Sequence, residues 1–392
     1  MNELKTPGGA SILGEFGDMP DPRVERTKLH NLVDILVIVL CGTLCGVDNF
    51  VQIELWAESN EAWLRTFLKL PNGIPSHDTM GRVFSILDPT EFQRRFVSWV
   101  EGVIQAIEGV IAIDGKTLRQ SGDKASGKKA LHMVSAWSAA NRVVLGQIST
   151  DEKSNEIAAI PKLLECLSLH GCIVTIDAIG TQKEIAADIV EKGAHYALAL
   201  KENQARFAED VASYFEYVSD PKFDHPQPLF HETIEKNGGR VETRRIWLSN
   251  TAPLIKRYSK EWSALSSIAK VESIRYLNGQ ESIEQRYFIS SLPGDDAKTF
   301  GEIIRTHWCV ENQLHWTLDV VFDEDRCRVR KDNAPENLAV VRHLALALHN
   351  KHGKAVQVNG RMRKTGLANR RQLASWNRPF LLNLLALIST TS

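Results

Sequence analysis

The sequence has no paired-cysteine motif, no long uninterrupted apolar run and almost no net charge. Its six cysteines are scattered at positions 41, 45, 166, 172, 309 and 327, as is typical of reduced thiols rather than of a disulfide framework. The longest apolar run, residues 32–47, contains Asp34 and is too short to span a bilayer. A basic leader with a small-residue cleavage site is also missing. We therefore expect a cytoplasmic protein with no membrane partner.

The length and the total charge exclude few classes of protein. The chain has 392 residues, long enough for two or three domains. Its 47 Lys and Arg residues nearly balance its 48 Asp and Glu residues, so the total charge does not indicate a polyanionic partner. Residues 1–20 are rich in glycine and polar residues, which predicts a flexible arm.

Residues 21–108 form a predicted all-α domain. Apolar residues recur at helical spacing from Lys28 to Ile107, including a helix over 50–68 and another capped by Ser76 or Asp78. This domain could bind DNA or serve in packing or dimerisation. No cluster of Arg and Lys on one helix decides between these roles.

From Gly109 the pattern changes to short β-branched runs. It predicts a first part of a catalytic core over 109–202, with strands at 110–118, 130–138, 143–149, 172–177 and 194–200 and helices at 155–169 (capped by Ser154 or Asn155) and 181–192. This βββαβαβ order is that of a ribonuclease-H-like mixed α/β sheet. In that architecture the first strand lies centrally and the fourth lies beside it.

Two of these strands end in a carboxylate, at Asp114 and Asp177. An unpaired buried carboxylate costs several kcal/mol, so each should lie at a strand edge or hold a cation. Two carboxylates on neighbouring strands repel each other unless a divalent metal lies between them. The alternative is that each aspartate is a turn or helix-capping residue, as Asp177 could be before Gly180.

The next part of the chain predicts an insertion and then a helix with a third acid. Alternating runs at 230–234, 240–248, 269–277 and 282–289 predict an inserted antiparallel β subdomain over 203–299. A catalytic helix follows in the region 300–332, running from Phe300 to about Asp319.

Glu311 is the candidate third carboxylate, because Trp308, Glu311 and His315 share one face of that helix. Three carboxylates suit two hard cations, Mg²⁺ or Mn²⁺, that promote phosphodiester displacement. We expect His307 and His315 to form hydrogen bonds near the site rather than to ligate metal. The competing third acids are Glu202, Asp319, Asp323, Glu324 and Asp325.

The C-terminal charge pattern predicts a phosphate-binding surface. From Arg326 to Arg378 there are thirteen Lys and Arg residues and two acids, and residues 333–392 form a basic helical region of two helices separated by a loop at 350–366. The first basic cluster is Arg326, Arg328, Arg330 and Lys331, and the second is Arg361, Arg363, Lys364, Arg370 and Arg371. The alternative is a solvated basic face. Trp308, Trp316 and Trp376 could stack on bases, although core packing is the expected role of each.

Several short motifs taken together resemble one known family. They are Ile113-Asp114-Gly115-Lys116, Ile176-Asp177 through Gln182, Ala199 through Gln204, His307-Trp308 with Glu311-Asn312 and Leu314-His315-Trp316, and in the helical region Asp21-Pro22-Arg23 and Ile74 through Thr79. The chain is similar over nearly its whole length to the H-repeat-associated family of bacterial insertion-sequence transposases.

The resemblance implies a DDE transposase in which Asp114, Asp177 and Glu311 bind Mg²⁺ or Mn²⁺. Its partners would be double-stranded DNA, both terminal inverted repeats and target, bound by a homodimer. Related enzymes often carry Tyr, Arg and Lys where this chain has Ile304, His307 and Leu318. We expect Arg305 and His307 to take over phosphate contacts near the glutamate, and Lys201 to be a further DNA-binding residue. The alternatives are a nuclease without strand transfer and a catalytically silent DNA-binding protein.

Overall fold

A mixed β-sheet and the helices around it make up the computed structural model. The structure describes residues 12–103, 107–123, 127–150, 156–222, 225–237, 240–277, 279–358 and 360–386. Its strands are β1 (Val110–Thr117), β2 (His132–Ser138), β3 (Val143–Thr150), β4 (Ile173–Ile176), β5 (His195–Leu200), β6 (Leu229–Asn237), β7 (Arg240–Ser249), β8 (Ser267–Leu277), β9 (Gln280–Ser290), β10 (Ala355–Val358) and β11 (Arg361–Lys364).

Along the chain, helices precede, interrupt and follow the strands. They are α1 (Ile12–Gly17), α2 (Leu32–Leu44), α3 (Phe50–Glu58), α4 (Glu61–Leu64), α5 (His77–Ile86), α6 (Pro89–Val103), α7 (Glu156–Glu165), α8 (Lys183–Glu191), α9 (Ala205–Ser219), α10 (Pro253–Tyr258), α11 (Ala297–His307), α12 (Trp316–Val320), α13 (Ala334–His352), α14 (Leu367–Trp376) and α15 (Arg378–Ala386). A π-helical segment, Val310–His315, separates α11 from α12.

The main sheet has the strand order β3-β2-β1-β4-β5-β9-β8-β7-β6. Strand β1 is antiparallel to β2 and parallel to β4, and its Ile113 lies opposite Ile176. The predicted neighbours, the first and fourth strands, are therefore adjacent. Asp114 and Asp177 each follow this residue pair by one position, at the same end of two parallel strands.

The inserted strands continue this sheet. Strand β9 pairs antiparallel with β5, with Leu198 opposite Ile289, and β8, β7 and β6 follow outward. The chain thus leaves the core after β5 and returns to it through the neighbouring strand.

Helix α13 joins the two ends of the chain into one hydrophobic core. It is buried along most of its length and packs against α2, α5, α6 and β3. The Asn337 side-chain amide donates hydrogen bonds to the carbonyls of Phe84 at 2.9 Å and Leu87 at 3.0 Å. The N-terminal helices α2, α5 and α6 are therefore packed against α13 of the C-terminal region.

Local structure differs from the sequence predictions at several points. The helix predicted over 50–68 is broken at Asn60, whose side chain donates to the Trp56 carbonyl at 2.6 Å. Helix α5 is capped by Ser76, which accepts from the Thr79 amide, whereas Asp78 lies inside the helix. The caps proposed at 154 and 155 lie outside the described residues.

Two predicted irregular segments contain structure. The predicted loop over 350–366 contains the antiparallel hairpin of β10 and β11. Within the predicted arm, α1 packs Phe16 against Phe92 with ring centroids 5.3 Å apart. All six cysteines are free. Among the described helices, none is long and apolar enough to cross a membrane.

Candidate metal centre

Asp114 and Asp177 differ in exposure although they end neighbouring strands. The Asp114 side chain is 17% exposed, whereas that of Asp177 is 61% exposed. The Asp114 carboxylate accepts a hydrogen bond from the Gly115 amide at 2.9 Å. Asp177 does not cap the short 3₁₀ turn that follows it with its side chain. The carboxyl group of Asp177 is therefore open to an external ligand.

The π-helical segment brings Glu311 and His315 to Asp114. Helix α11 packs across β1, β4, β6 and β7, and the π-helical segment that follows it contacts β1. Asp114, Glu311 and His315 each offer one ligand atom, and these atoms all lie within 4.8 Å of one another. π-Helical turns often occur at functional sites because they redirect side chains within a helix.

Burial is the main cause that raises the pKa of Asp114 to about 7; the hydrogen bond from Gly115 opposes this rise, and the negative charges of Asp177, Glu311 and Glu156 add to it. Asp114 and Glu311 thus lie close together, whereas Asp177 follows the neighbouring strand and is not part of that group of ligand atoms. A divalent cation would neutralise the repulsion among these carboxylates, and their oxygen atoms are the ligands that Mg²⁺ and Mn²⁺ take. The residues present therefore fit the predicted metal.

Two histidines lie beside the aspartates. His307 Nδ1 and the Thr175 hydroxyl form a 3.0 Å hydrogen bond, and His307 Nε2 lies 3.9 Å from Asp177 Oδ1. His315 Nδ1 lies 3.5 Å from Asp114 Oδ2. Burial lowers the pKa of His315 to about 4, so its imidazole is neutral at neutral pH.

Most of the competing third acids lie in other environments. Glu324 is buried and forms ion pairs with Lys116 and with Arg342, and Lys116 also contacts Asp319 at 2.5 Å. Burial opposes the charged form of Glu324, but the two cations outweigh it and lower its pKa to about 2. Glu324 and Asp319 therefore compensate buried positive charge, a role that sequence reasoning missed.

A second buried pair explains the glycine of the Ile113–Lys116 motif. His132 Nε2 and Glu156 Oε1 lie 2.6 Å apart, and a Cβ atom at Gly115 would overlap both side chains. No sequence pattern links His132 to Glu156. From the sequence, the glycine of the motif indicates only that another group lies close to the backbone at this position; it does not indicate which side chain that is.

The Ala199–Gln204 motif holds the loop that follows Asp177. The side-chain amides of Asn203 and Gln204 both donate to the Thr181 carbonyl, at 3.3 and 3.1 Å. The Thr181 hydroxyl donates in turn to the Ala199 carbonyl at 2.6 Å. These residues fix the loop, whereas Lys201 is exposed.

The basic residues fall into two groups. The exposed ones are Lys201, Arg305, Arg326, Arg328, Lys331, Arg361, Arg363 and Lys364, while Arg330 is partly buried. Arg305 forms an ion pair with Glu235 of β6, and Arg330 donates to the Gln120 carbonyl at 2.9 Å.

The predicted DNA contacts of Arg370 and Arg371 are wrong. Both side chains are buried, each 3% exposed. Arg370 donates to the carbonyl of His349 at 2.6 Å, and Arg371 donates to that of Thr43 at 2.8 and 3.1 Å and to the Asp48 carboxylate at 2.5 Å. Their guanidinium groups satisfy main-chain carbonyls in the interior, so they cannot reach a phosphate.

The expected core packing of three tryptophans is also wrong. Trp308, Trp316 and Trp376 are 38%, 57% and 77% exposed. Trp308 is covered on one side by Arg286, whose guanidinium carbon lies 4.4 Å from the ring centroid.

Two family models match the chain, the DDE_Tnp_1-associated model over residues 13–100 and the Transposase DDE domain over residues 105–348. The chain belongs to the DDE transposase family. This transposase therefore combines the family's DDE domain with its associated N-terminal region. The first match ends at residue 100, in the last turn of α6, and the second begins before β1, so the boundary lies near the change from helices to sheet.

Two curated proteins are similar to this transposase over most of its length. It is 40% identical over 344 residues to "Putative transposase YncI" of Escherichia coli O157:H7, covering 86% of this chain and 87% of that protein. It is 36% identical over 380 residues to "H repeat-associated putative transposase YhhI" of Escherichia coli (strain K12), covering 96% of this chain and 97% of that protein. The predicted resemblance to the H-repeat-associated family is confirmed.

A solved structure of a piggyBac transposase synaptic complex with hairpin DNA aligns to this transposase with a TM-score of 0.40 and 13% identity. The alignment covers 94% of this chain and 74% of that one. A TM-score this low does not establish a shared fold.

Proposed function

We propose that this transposase cleaves DNA at the ends of an insertion sequence and transfers the freed 3′-hydroxyl strand to target DNA. The observation that supports the proposal is the place of Asp114, which lies in one group of ligand atoms with Glu311 and follows the stretch of β1 that pairs with β4, the strand that Asp177 follows. The adjacency of β1 and β4 within a mixed sheet supports a ribonuclease-H-like core.

In this proposal Asp114, Asp177 and Glu311 hold divalent cations, Mg²⁺ or Mn²⁺. Bound cations of this kind activate an attacking hydroxyl and stabilise the leaving oxygen at phosphorus. In this proposal β1 and the end of β4 position Asp114 and Asp177, and α11 with the π-helical segment, which contacts β1, positions Glu311.

Double-stranded DNA is the proposed partner, at both the terminal inverted repeats and the target. The exposed basic side chains support this, above all those of β11. Because two element ends must be joined together, a homodimer on DNA is part of the proposal. We place the reaction in the cytoplasm.

The test replaces Asp114 or Asp177 with Asn, or Glu311 with Gln, one at a time. Cleavage of terminal-repeat DNA with Mg²⁺ should fall at least about 100-fold in each variant, because a cation that loses a carboxylate ligand stabilises the transition state less. Each factor of ten corresponds to ~1.4 kcal/mol of lost stabilisation. Glu202→Gln and Asp323→Asn remove exposed competing acids and should keep full activity.

A pre-cut duplex separates joining from cleavage. Ends carrying a 3′-hydroxyl should be joined to target DNA, whereas 3′-deoxy ends should not. Cleavage without joining would make the chain a nuclease, and DNA binding without metal-dependent cleavage would make it a silent binding protein. Full cleavage in any one of the three acid variants removes that residue from the proposed site.

A further inference from the structure

One imidazole lies among the carboxylates of the proposed site. We propose that His315 is itself a metal ligand, completing with Asp114 and Glu311 a mixed nitrogen and oxygen cation site that prefers Mn²⁺ to Mg²⁺. This inference rests on the proposed function, since it describes the same site, and it adds a ligand of a different chemical class.

The spacing of the three side chains suits a single ion. Ligand atoms at about 2.1 Å from an ion lie roughly 3.0 Å apart when adjacent and roughly 4.2 Å apart when opposite. The 3.5 Å from His315 Nδ1 to Asp114 Oδ2 falls within that range. The ligand atoms of all three residues lie within 4.8 Å of one another, close to the spacing of opposite ligands on one ion.

The imidazole of His315 has no competing engagement within the described part of the chain. The residue is 9% exposed, and its Nε2 is buried without a hydrogen-bond partner there. Its Nδ1 faces the Asp114 carboxylate. Nδ1 is therefore the nitrogen placed to hold an ion together with Asp114, whereas Nε2 is the one without a partner. Metal bound at Nδ1 would fix the orientation of the ring.

His307 provides the internal comparison. It also lies beside a carboxylate, that of Asp177, but its Nδ1 is already hydrogen-bonded to Thr175 and its Nε2 is 3.9 Å from Asp177. No described group of three ligand residues contains it. The geometry therefore selects His315 rather than histidines near acids in general.

The donor set determines the metal preference. Carboxylate oxygens suit Mg²⁺ and Mn²⁺ alike, whereas imidazole nitrogen suits transition metals and is a poor ligand for Mg²⁺. Removing the imidazole while keeping both carboxylates should therefore weaken Mn²⁺ binding more than Mg²⁺ binding. His315→Gln keeps the size and polarity of the side chain and removes the ring nitrogen.

The test is pulsed electron paramagnetic resonance of Mn²⁺ bound to the full chain, alone and with a terminal-repeat duplex. The wild-type protein should show nitrogen coupling from one imidazole. The coupling should disappear in His315→Gln and persist in His307→Gln. Competition titrations should show a preference for Mn²⁺ over Mg²⁺ that falls by about tenfold or more in His315→Gln.

The possible outcomes separate this inference from the proposed function. Bound Mn²⁺ that is lost in Glu311→Gln but shows no nitrogen coupling overturns the inference and leaves the carboxylate site intact. Coupling retained in His315→Gln also overturns it. Absence of bound Mn²⁺ both with and without the duplex removes the metal site itself, and with it the proposed function.

Discussion

Lys116 shows how a motif residue can serve the interior rather than the reaction. Its ammonium group contacts Asp319 and the buried Glu324, whose other oxygen faces Arg342 at 3.2 Å. Removing one member of a buried ion pair is costly because the remaining charge stays uncompensated. The Ile113–Lys116 motif therefore couples one carboxylate of the candidate site to a buried charge network.

Lys116→Met should lower the free energy of unfolding by about 3–5 kcal/mol at neutral pH. The sign of the pH dependence follows from Glu324, whose pKa is lowered to about 2 in the folded protein. The ionised Glu324 carboxylate contributes to the free energy of unfolding above its ordinary pKa of 4.5, and this contribution is lost as the pH falls through about 2. The difference in unfolding free energy between the wild type and Lys116→Met should therefore become smaller in acid. Urea unfolding from neutral pH to about pH 3 measures it.

The exposed Lys298→Met serves as the control for this change and should leave stability nearly unchanged. A deficit that is constant across the whole pH range would show that the contact between Lys116 and Glu324 is not the cause.

Gly115→Ala should destabilise the protein by about 1–3 kcal/mol, because the added methyl group overlaps the buried pair of His132 and Glu156. Gly366→Ala is the matched control, since nothing lies within 4 Å of its added Cβ atom. Thermal unfolding of the two variants tests this. An unchanged melting temperature in Gly115→Ala would mean that the pair shifts without cost.

At the scale of elements, the π-helical segment sets the direction of Glu311 and His315. Deleting Asn312, an exposed residue of the segment, should restore α-helical spacing and rotate one of the two side chains away from Asp114. Mn²⁺ affinity should then fall at least about tenfold while the circular dichroism spectrum stays close to that of the wild type.

Asn312→Ala preserves the length of the segment and should retain Mn²⁺ binding, so it controls for the loss of the amide. Unchanged affinity in the deletion variant would show that the extra residue is dispensable.

The hairpin of β10 and β11 presents three exposed cations, at Arg361, Arg363 and Lys364. Replacing all three with Ser should flatten the dependence of DNA affinity on salt by about 0.9 in log–log slope for each phosphate that the hairpin no longer neutralises. Fluorescence anisotropy over a salt series measures the slope. Replacing the two arginines with Lys keeps their charges and should keep the slope, and a triple-serine variant with the wild-type slope would exclude the hairpin from DNA binding.

Much of the sheet could be predicted from local patterns, because β1, β3 and β4 are rich in β-branched residues. The two aspartates follow such runs directly, so their positions at strand ends were readable in the sequence. The π-helical segment was not, because its six residues are too few for a helical period to be read from the spacing of apolar side chains. The hairpin at 355–364 was missed because its strands are short and polar.

At the scale of the whole molecule, Arg371 links distant parts of the chain. It extends from α14 to the carbonyl of Thr43 at the end of α2, to Asp48 and to the carbonyl of Val321 beyond α12. Sequence alone could not distinguish it from Arg363, since both lie in the same basic run. Only long-range packing decides which guanidinium is buried.

Arg371→Met should therefore lower stability by about 2–4 kcal/mol, because it leaves buried carbonyls and Asp48 without their donor. It should not change the salt dependence of DNA binding by the folded protein. Arg363→Met is the matched comparison and should leave stability nearly unchanged while it flattens the salt dependence of DNA affinity. Thermal unfolding measures the stability of both variants, and fluorescence anisotropy measures their DNA affinity. A flattened salt dependence in Arg371→Met would support its predicted DNA contact.

The pairing of β5 with β9 has a consequence for how such chains diversify. The excursion from residue 201 to residue 296 departs and re-enters at adjacent strands, so its span need not alter the distance between Asp177 and the helix that precedes Glu311. Because α11 also packs on β6 and β7, a change in length that keeps these strands would leave the acids in register, whereas removing the strands would not. Relatives could thus acquire new partners here without rebuilding the reactive centre.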